Sequence, residues 1–318
     1  MTLSLSRDPS HTRLQSVVEN VERVIYGKGD VVTLAVVGIL AEGHLLLEDS
    51  PGTGKTTLAR ALARSIDLDF NRIQFTSDML PSDVLGLSTQ APTGGFTFQP
   101  GPIFTHVVLA DELNRTPPRT QSALLECMNE KSVSIEGETR ELPRPFLVIA
   151  TQNPLEFEGT YPLPESQLDR FLLRLELGHP SIDEERRILR ERQRQDPLDS
   201  LRPVLDGPSL RALCERAREV TISEPVLDYL LAIIDATRSS GRFFSGASTR
   251  AALGFQRAAQ AYALIEGRDY CIPDDVKRLC VSVLAHRLQV EPSMHAGVSE
   301  SGSAAALRDL MNEIPVPE

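Results

Sequence analysis

The stretch His44-Leu45-Leu46-Leu47-Glu48-Asp49-Ser50-Pro51-Gly52-Thr53-Gly54-Lys55-Thr56-Thr57 decides the reading of this chain. His44 to Glu48 is a short apolar run that ends at a glycine-bearing turn, and Thr57 to Ile66 beyond it is rich in Ala, Leu and Arg. The order is strand, loop, helix. Successive backbone N–H groups in such a turn form a concavity for phosphate oxygens, backed by the positive end of the following helix. Gly52 and Gly54 permit that backbone, Lys55 can reach the β- and γ-phosphates, and the Thr56 hydroxyl can ligate Mg²⁺. Ser50, Pro51, Thr53 and Thr57 complete the expected cradle. The usual pattern opens on Gly, where this chain has Asp49. A turn with Gly and Pro can also be a plain connector, but the strand before, the helix after and the Lys-Thr pair together favour phosphate binding.

Two further runs extend the pattern. Val107-Val108-Leu109-Ala110-Asp111-Glu112 reads as a buried strand ending in two acids. In that layout the first carboxylate holds hydrated Mg²⁺ and the second polarises water; the same pair could be solvated acids at a strand end. Phe146 to Ala150 leads into Thr151-Gln152-Asn153-Pro154, which would place the Asn153 amide beside the γ-phosphate if the two strands are neighbours. Asn before Pro is by itself a turn signal. Leu163-Pro164-Glu165-Ser166-Gln167-Leu168-Asp169-Arg170-Phe171 then puts Arg170 at the end of the α/β part, where an isolated arginine reads as one half of a surface ion pair.

Working outward, short apolar runs at Arg72 to Phe75, Val107 to Ala110 and Phe146 to Ala150, separated by helix-like or turn-rich segments, predict a parallel sheet with flanking helices. Leu14 to Val24 has helical spacing through Leu14, Val17, Val18 and Val21 and enters the turn Tyr26-Gly27-Lys28-Gly29, with a second helix from Asp30. Residues 1–180 are therefore expected to form an α/β core. After His179-Pro180-Ser181 the segments Glu184 to Gln193, Ser209 to Glu219, Glu224 to Ser239, Thr249 to Glu266 and Pro273 to Val290 read as helices, a smaller all-α domain over 181–291. The tail, 292–318, is rich in Ser, Gly, Ala and Pro and is expected to be partly disordered, with room for one helix over Ala304 to Met311.

Bulk properties narrow the function. The 318 residues are 41% hydrophobic and 24% charged, an ordinary globular composition. A net charge of −11 argues against a surface built mainly to neutralise nucleic-acid phosphate or anionic lipid. Cys127, Cys214, Cys271 and Cys280 lack the close pairing of a zinc knuckle and read as buried free thiols. Met1 to Ser10 is polar, so no secretory signal is expected, and runs such as Val31 to Ala41 fall short of a bilayer span. The expected location is the cytoplasm.

The order of these motifs resembles the AAA+ ATPases and, among them, looks most like the MoxR family, from about Leu14 to Gln289. The resemblance rests on Leu46-Leu47-Glu48-Asp49 leading into Pro51-Gly52-Thr53-Gly54-Lys55-Thr56, on Ala110-Asp111-Glu112-Leu113-Asn114-Arg115, on Ala150-Thr151-Gln152-Asn153-Pro154 and on Pro164-Glu165-Ser166-Gln167-Leu168-Asp169-Arg170-Phe171. Asp49 agrees with the family pattern. The resemblance implies a P-loop NTPase fold with a helical lid, ATP and Mg²⁺ bound between subunits of a ring, a hexamer by expectation, Asn153 as sensor 1 and Arg170 as an arginine finger supplied in trans. Gly246-Ala247-Ser248-Thr249-Arg250-Ala251 matches the sensor 2 segment, with Arg250 expected near the γ-phosphate. The family commonly has Pro where Thr249 stands, which leaves the local backbone of Arg250 less fixed. Tyr26 and Gly27 join the expected nucleotide contacts.

The expected chemistry is ATP hydrolysis: Thr56 and Asp111 on the metal, Lys55 on the phosphates, Glu112 on the attacking water, Arg170 of the neighbour completing the site and Arg250 coupling the lid to nucleotide state. The resemblance also implies chaperone-like work on a protein client, with a separate partner carrying a von Willebrand factor A domain. Thr93-Gly94-Gly95-Phe96-Thr97-Phe98, with Phe96 and Phe98 on one face, and Ser132 to Glu141, which alternates around Gly137 and is polar at its tip, read as hairpins. Other classes stay open: a magnesium-chelatase-like motor subunit, a nucleic-acid-associated motor, for which a basic stripe would be expected, and a nucleotide-gated scaffold that barely turns over.

Overall fold

The structure, a computed structural model, describes residues 9–90, 96–153, 159–192, 196–290 and 300–317. The turn expected at Thr93-Gly94-Gly95, Pro154 after Asn153, Gln193, residues 1–8 and 292–299 of the tail lie outside the described residues.

Helices α1 (Pro9–Glu22) and α2 (Gly29–Leu40) precede strand β1 (His44–Glu48), helix α3 (Lys55–Ser65) and strand β2 (Phe70–Gln74). A short helix α4 (Pro81–Leu85) leads to a hairpin of β3 (Gly86–Gln90) and β4 (Phe96–Pro100), then β5 (Val107–Asp111) and α5 (Pro118–Glu130). A second hairpin, β6 (Ser132–Ile135) and β7 (Glu138–Glu141), precedes β8 (Leu147–Gln152), α6 (Glu165–Leu168) and β9 (Phe171–Leu175). The helical part comprises α7 (Ile182–Arg192), α8 (Pro197–Ser200), α9 (Gly207–Arg218), α10 (Glu224–Ser239), α11 (Thr249–Ile265), α12 (Pro273–Leu284) and α13 (Glu300–Glu313).

Five strands form one parallel sheet in the order β2-β5-β8-β1-β9. Its central strands β1, β5 and β8 are buried at nearly every position because both faces are covered, and polar residues enter them only at their ends. In β1, Leu45 and Leu47 enter one core with α1, α2, α3 and the lid helices, while Leu46 enters the other with Phe75, Leu124 and Leu125. The same alternation splits Val107 and Leu109 from Val108 and Ala110 in β5, as the two-residue period of a strand requires.

Strand β9 goes beyond the sequence expectation, α13 (Glu300–Glu313) extends the helix for which Ala304 to Met311 left room, and α12 stops short of its expected end. Strand β9 pairs with β1 (Leu46↔Arg174), although its charge at Arg174 hides the apolar pattern. That charge is buried against Glu48 at 3.2 Å, with 5% and 7% of the two side chains exposed. The tail carries α13 with Leu307 and Leu310 buried, packed on α10, α12 and the turn at 285–287, so the part of it that is described is structured and belongs to the lid core. Helix α12 ends at Leu284, earlier than expected, and a 3-10 turn, Ala285–Arg287, follows.

The division into core and lid is not a division of hydrophobic cores. Helix α11 packs on α2, α1 and β9, and α9 packs on α2, so the N-terminal helices join the sheet to the lid. All four cysteines are free and buried; burial pushes Cys127, Cys271 and Cys280 up to about 12 and Cys214 up to about 11, which makes them inert packing groups. Among the described residues no helix is long and apolar enough to cross a membrane.

Candidate nucleotide-binding and hydrolysis site

The loop after β1 has the backbone that phosphate binding needs. Gly52 (φ +86°) and Gly54 (φ +101°) occupy left-handed conformations, and a Cβ at either would meet only open space, so it is backbone freedom that selects glycine here. Gly54 is the N-cap of α3 and has no side chain to satisfy the first N–H groups, which leaves them directed at a ligand. Lys55 follows immediately, its Nζ donating to the main-chain oxygens of Asp49 (2.6 Å) and Ser50 (3.1 Å). Thr56 and Thr57 lie half-buried in the first turn of α3.

Beside this loop lies a cleft of about 690 Å³, open mouth included, bounded by Val24, Ile25 and Tyr26, by Gly52, Thr53, Gly54 and Thr57, and by Leu177, Gly178, Pro180 and Ile188. It joins a phosphate cradle to an apolar wall, as a nucleoside triphosphate requires. The Tyr26 hydroxyl donates to Glu191 of α7, and the Arg187 guanidinium lies 4.1 Å from the centre of the Tyr26 ring. Gly27 is left-handed (φ +66°), which selects glycine, and it lies against the Glu184 carboxylate. The turn 26–28 is thus pinned to the first lid helix.

Strand β8 lies between β1 and β5, so the loop, the two acids and Asn153 all sit at the carboxyl edge of the sheet, where open α/β sheets bind ligands. Thr151 Oγ1 donates to Asp111 Oδ1 (2.5 Å) and accepts the Glu112 N–H (2.9 Å). Arg72 holds the other oxygen, Asp111 Oδ2, from Nη2 (2.6 Å) and Nε (3.0 Å). Glu112 has φ 58° and ψ 46°, left-handed for a residue with a Cβ, a conformation costing on the order of 1–3 kcal/mol that concentrates at functional sites. Its carboxylate accepts from Gln74 Nε2 (2.9 Å) and Arg115 Nε (3.0 Å). Asn153 is buried directly after β8.

Arg170 and Arg250 are elsewhere. Arg170 immediately precedes Phe171, which pairs with His44 at the start of β1, whereas the phosphate loop follows Glu48 at its end. Roughly 13 Å of strand lies between those levels. Arg170 Nη1 donates to Leu125 O (2.6 Å). Arg250, exposed in the first turn of α11, stands two residues after Ser248, whose hydroxyl donates to Asp169 Oδ1 (3.1 Å). Asp169 also accepts from the buried Arg287 Nη1 (3.0 Å), and Ser245 donates to Glu165 Oε2 (3.1 Å). Within one chain, then, the phosphate loop, Asp111, Glu112 and Asn153 converge on one edge, and Arg170 and Arg250 share the other.

The donors present suit Mg²⁺. Thr56 and Asp111 offer hard oxygens, and among the described residues no group of three or more His, Cys, Asp or Glu could hold a metal without help. One or two protein oxygens completed by phosphate oxygens and water is how Mg²⁺ is held in nucleotide sites. The sequence assigned no role to Arg72 and Gln74 of β2, which hold Asp111 and Glu112 from 38 to 39 residues away, to Arg287, which holds Asp169, or to Arg115 and Asp169, which stand inside the quoted motifs; for Arg72 and Gln74 the signal was the polar β2 sequence, with Ile73 alone buried.

A parallel sheet with a glycine-bearing loop after β1, the acids Asp111 and Glu112 at the end of β5 and a buried asparagine after the strand between them, followed by a helical lid, defines an AAA-type ATPase. Residues 44–173 match the family described as ATPase family associated with various cellular activities (AAA), and residues 235–306 match the AAA lid domain. The chain is 46% identical over 308 residues to the uncharacterized protein YeaC of Bacillus subtilis, covering 96% of each. It is 42% identical over 290 residues to chaperone MoxR1 of Mycobacterium tuberculosis (87% of this chain, 76% of the relative) and 30% identical over 332 residues to protein MoxR of Paracoccus denitrificans (96% and 97%). A crystal structure of a protein assigned as an ATPase from Cytophaga hutchinsonii superposes with a TM-score of 0.89 at 36% identity, covering 97% and 96% of the two chains. The chain belongs to the MoxR family of AAA+ ATPases.

Proposed function

We propose that this protein is a cytoplasmic, ring-forming ATPase that hydrolyses ATP between subunits and uses the cycle to remodel or activate a protein client. The carrying observation is the split of the site: the hydrolytic residues lie at one edge of the sheet, and Arg170 with Arg250 lie at the other, next to Asp169. Two arginines held that far from their own phosphate loop suit a neighbour's nucleotide, and the mutual completion of sites is what a ring provides.

On this reading ATP lies with its phosphates on the N–H groups of residues 52–56 and its base against Tyr26, Leu177 and Pro180. Bound Mg²⁺, which Thr56 and Asp111 would hold, would neutralise charge on the phosphates. Lys55 leaves the carbonyls of Asp49 and Ser50 for the phosphate oxygens. Glu112 takes the proton of the attacking water as that water adds to the γ-phosphorus and the bond to the β-phosphate oxygen breaks, and Asn153 orients the water. Arg170 of the neighbour meets the charge developing on the transferred group, a contribution on the order of 10³-fold or more. Because α11 carries Arg250 and its N-cap Ser248 is tied to Asp169, lid and finger move together. The sensor roles, a hexameric ring and a partner with a von Willebrand factor A domain are part of the proposal; the name of the M. tuberculosis relative, a chaperone, supports a protein client.

Glu112→Gln tests the hydrolytic reading. It keeps the shape and the hydrogen bond from Arg115 but cannot take a proton, so turnover falls by about 100-fold or more while ATP binding persists. Turnover near that of the wild type would refute the assignment.

A further inference from the structure

The residue that departs from the usual phosphate-loop pattern makes two contacts that the motif does not call for. Asp49 Oδ2 accepts the main-chain N–H of Leu177 at 2.6 Å and of Gly178 at 2.8 Å, 128 and 129 residues further along the chain. Gly178 is left-handed (φ +62°), which lets two successive N–H groups converge on one oxygen. Leu177 and Gly178 are the wall of the cleft beside the phosphate loop, where β9 hands over to α7. The segment is held a second time by Lys28, whose Nζ donates to His179 O at 2.9 Å.

Asp49 is equally bound on its other side. Its main-chain oxygen accepts from Lys55 Nζ at 2.6 Å, and its N–H donates to Gln152 O at 3.4 Å, continuing the β1–β8 ladder. One residue therefore touches the phosphate lysine, the sensor strand and the base-side wall. Glycine at this position would leave the loop able to bind phosphate but would give the wall no anchor, and the N–H of the buried Leu177 would lose its acceptor.

We infer that Asp49 is a positioning residue that hangs the base-side wall of the nucleotide cleft, Leu177-Gly178, from the phosphate loop, so that the nucleoside half of the ligand is recognised in fixed register with its phosphates. The inference rests on the nucleotide-site reading above and deepens it. Charge-assisted hydrogen bonds to backbone N–H groups are short and directional, which is what fixing two halves of a site relative to one another requires.

Calorimetric titration of the full chain with Mg²⁺-ATP and, separately, with Mg²⁺ and inorganic triphosphate tests it. Asp49→Gly lowers affinity for ATP by about tenfold or more and for triphosphate by less than about twofold, because only ATP uses the wall. Asp49→Asn, which keeps one carbonyl acceptor without the charge, shows the same split at a smaller factor, and it carries the test if the glycine variant lacks a cooperative thermal transition. A merely structural loss would lower the melting temperature without separating the two ligands. Equal losses for ATP and triphosphate, or no loss for either, overturn the inference. Failure of the wild-type chain to bind ATP at all would instead overturn the nucleotide site on which it rests.

Discussion

The hydroxyl of Thr151 donates to Asp111 across the β5–β8 ladder at 2.5 Å, and the same oxygen accepts the N–H of Glu112. One side chain on β8 thereby fixes both the Asp111 carboxylate, the proposed metal ligand, and the backbone of Glu112, the proposed proton acceptor. The left-handed Glu112 is held at its N–H by Thr151 and at its carboxylate by Gln74 and Arg115.

Thr151→Val removes that hydroxyl with little change in shape. Turnover falls by roughly 10–100-fold through misplacement of Asp111 and Glu112, and stability falls by about 1–3 kcal/mol from the unpaired N–H. Thr151→Ser recovers most of both. Steady-state phosphate release and urea unfolding measure the two effects; a valine variant with unaltered turnover would show that the hydroxyl has no positioning role.

Asp169 neutralises Arg287, whose side chain is only 4% exposed. Its own partial exposure puts Asp169→Ala below the roughly 3–5 kcal/mol of a fully buried pair, at about 2–3 kcal/mol of destabilisation. Adding Arg287→Met removes the stranded charge and restores part of that loss. Urea midpoints with an unchanged slope check it.

His44 sits between α5 and β8. Its Nδ1 accepts from Val148 N (3.0 Å), which places the proton on Nε2, facing Met128 O (3.0 Å). Burial is the main cause that lowers its pKa from 6.5 to about 4. Above pH 6.5 the ring is neutral in both folded and unfolded chains, so its contribution to stability is fully present there. As pH falls from 6.5 towards 4 the unfolded chain takes up the proton first, and roughly 3 kcal/mol is lost. His44→Gln can reproduce both hydrogen bonds without titrating. Comparing urea stability of the two proteins at pH 7 and pH 4.5 therefore shows a steeper acid loss for wild type; parallel losses would contradict the assignment.

The carboxyl edge was legible in the sequence because its determinants are local. Apolar runs buried on both faces announce β1, β5 and β8, and Gly52, Gly54, Lys55 and Thr56 carry their chemistry within one turn. Strand β9 was hidden because Arg174 interrupts its pattern, a charge that Glu48 on the adjacent strand and Glu176 compensate. Helix α13 falls where the sequence left room for one, over Ala304 to Met311, and its buried Ala304, Ala306, Leu307 and Leu310 seat it on the lid. The placement of Arg250 depended on where the lid docks. Its motif fixes neither the bond of Ser248 to Asp169 nor the edge of the sheet that results.

Mixing two inactive variants tests the central claim, a site shared between subunits. Lys55→Ala lacks a working phosphate loop and keeps Arg170; Arg170→Ala has the reverse defect. If the finger acts in trans, interfaces that join an intact loop to an intact finger regain ATP turnover, and the mixture exceeds the sum of the separate activities at a fixed total concentration. Confirmed mixed assemblies that hydrolyse no more ATP than the two variants apart would contradict the account.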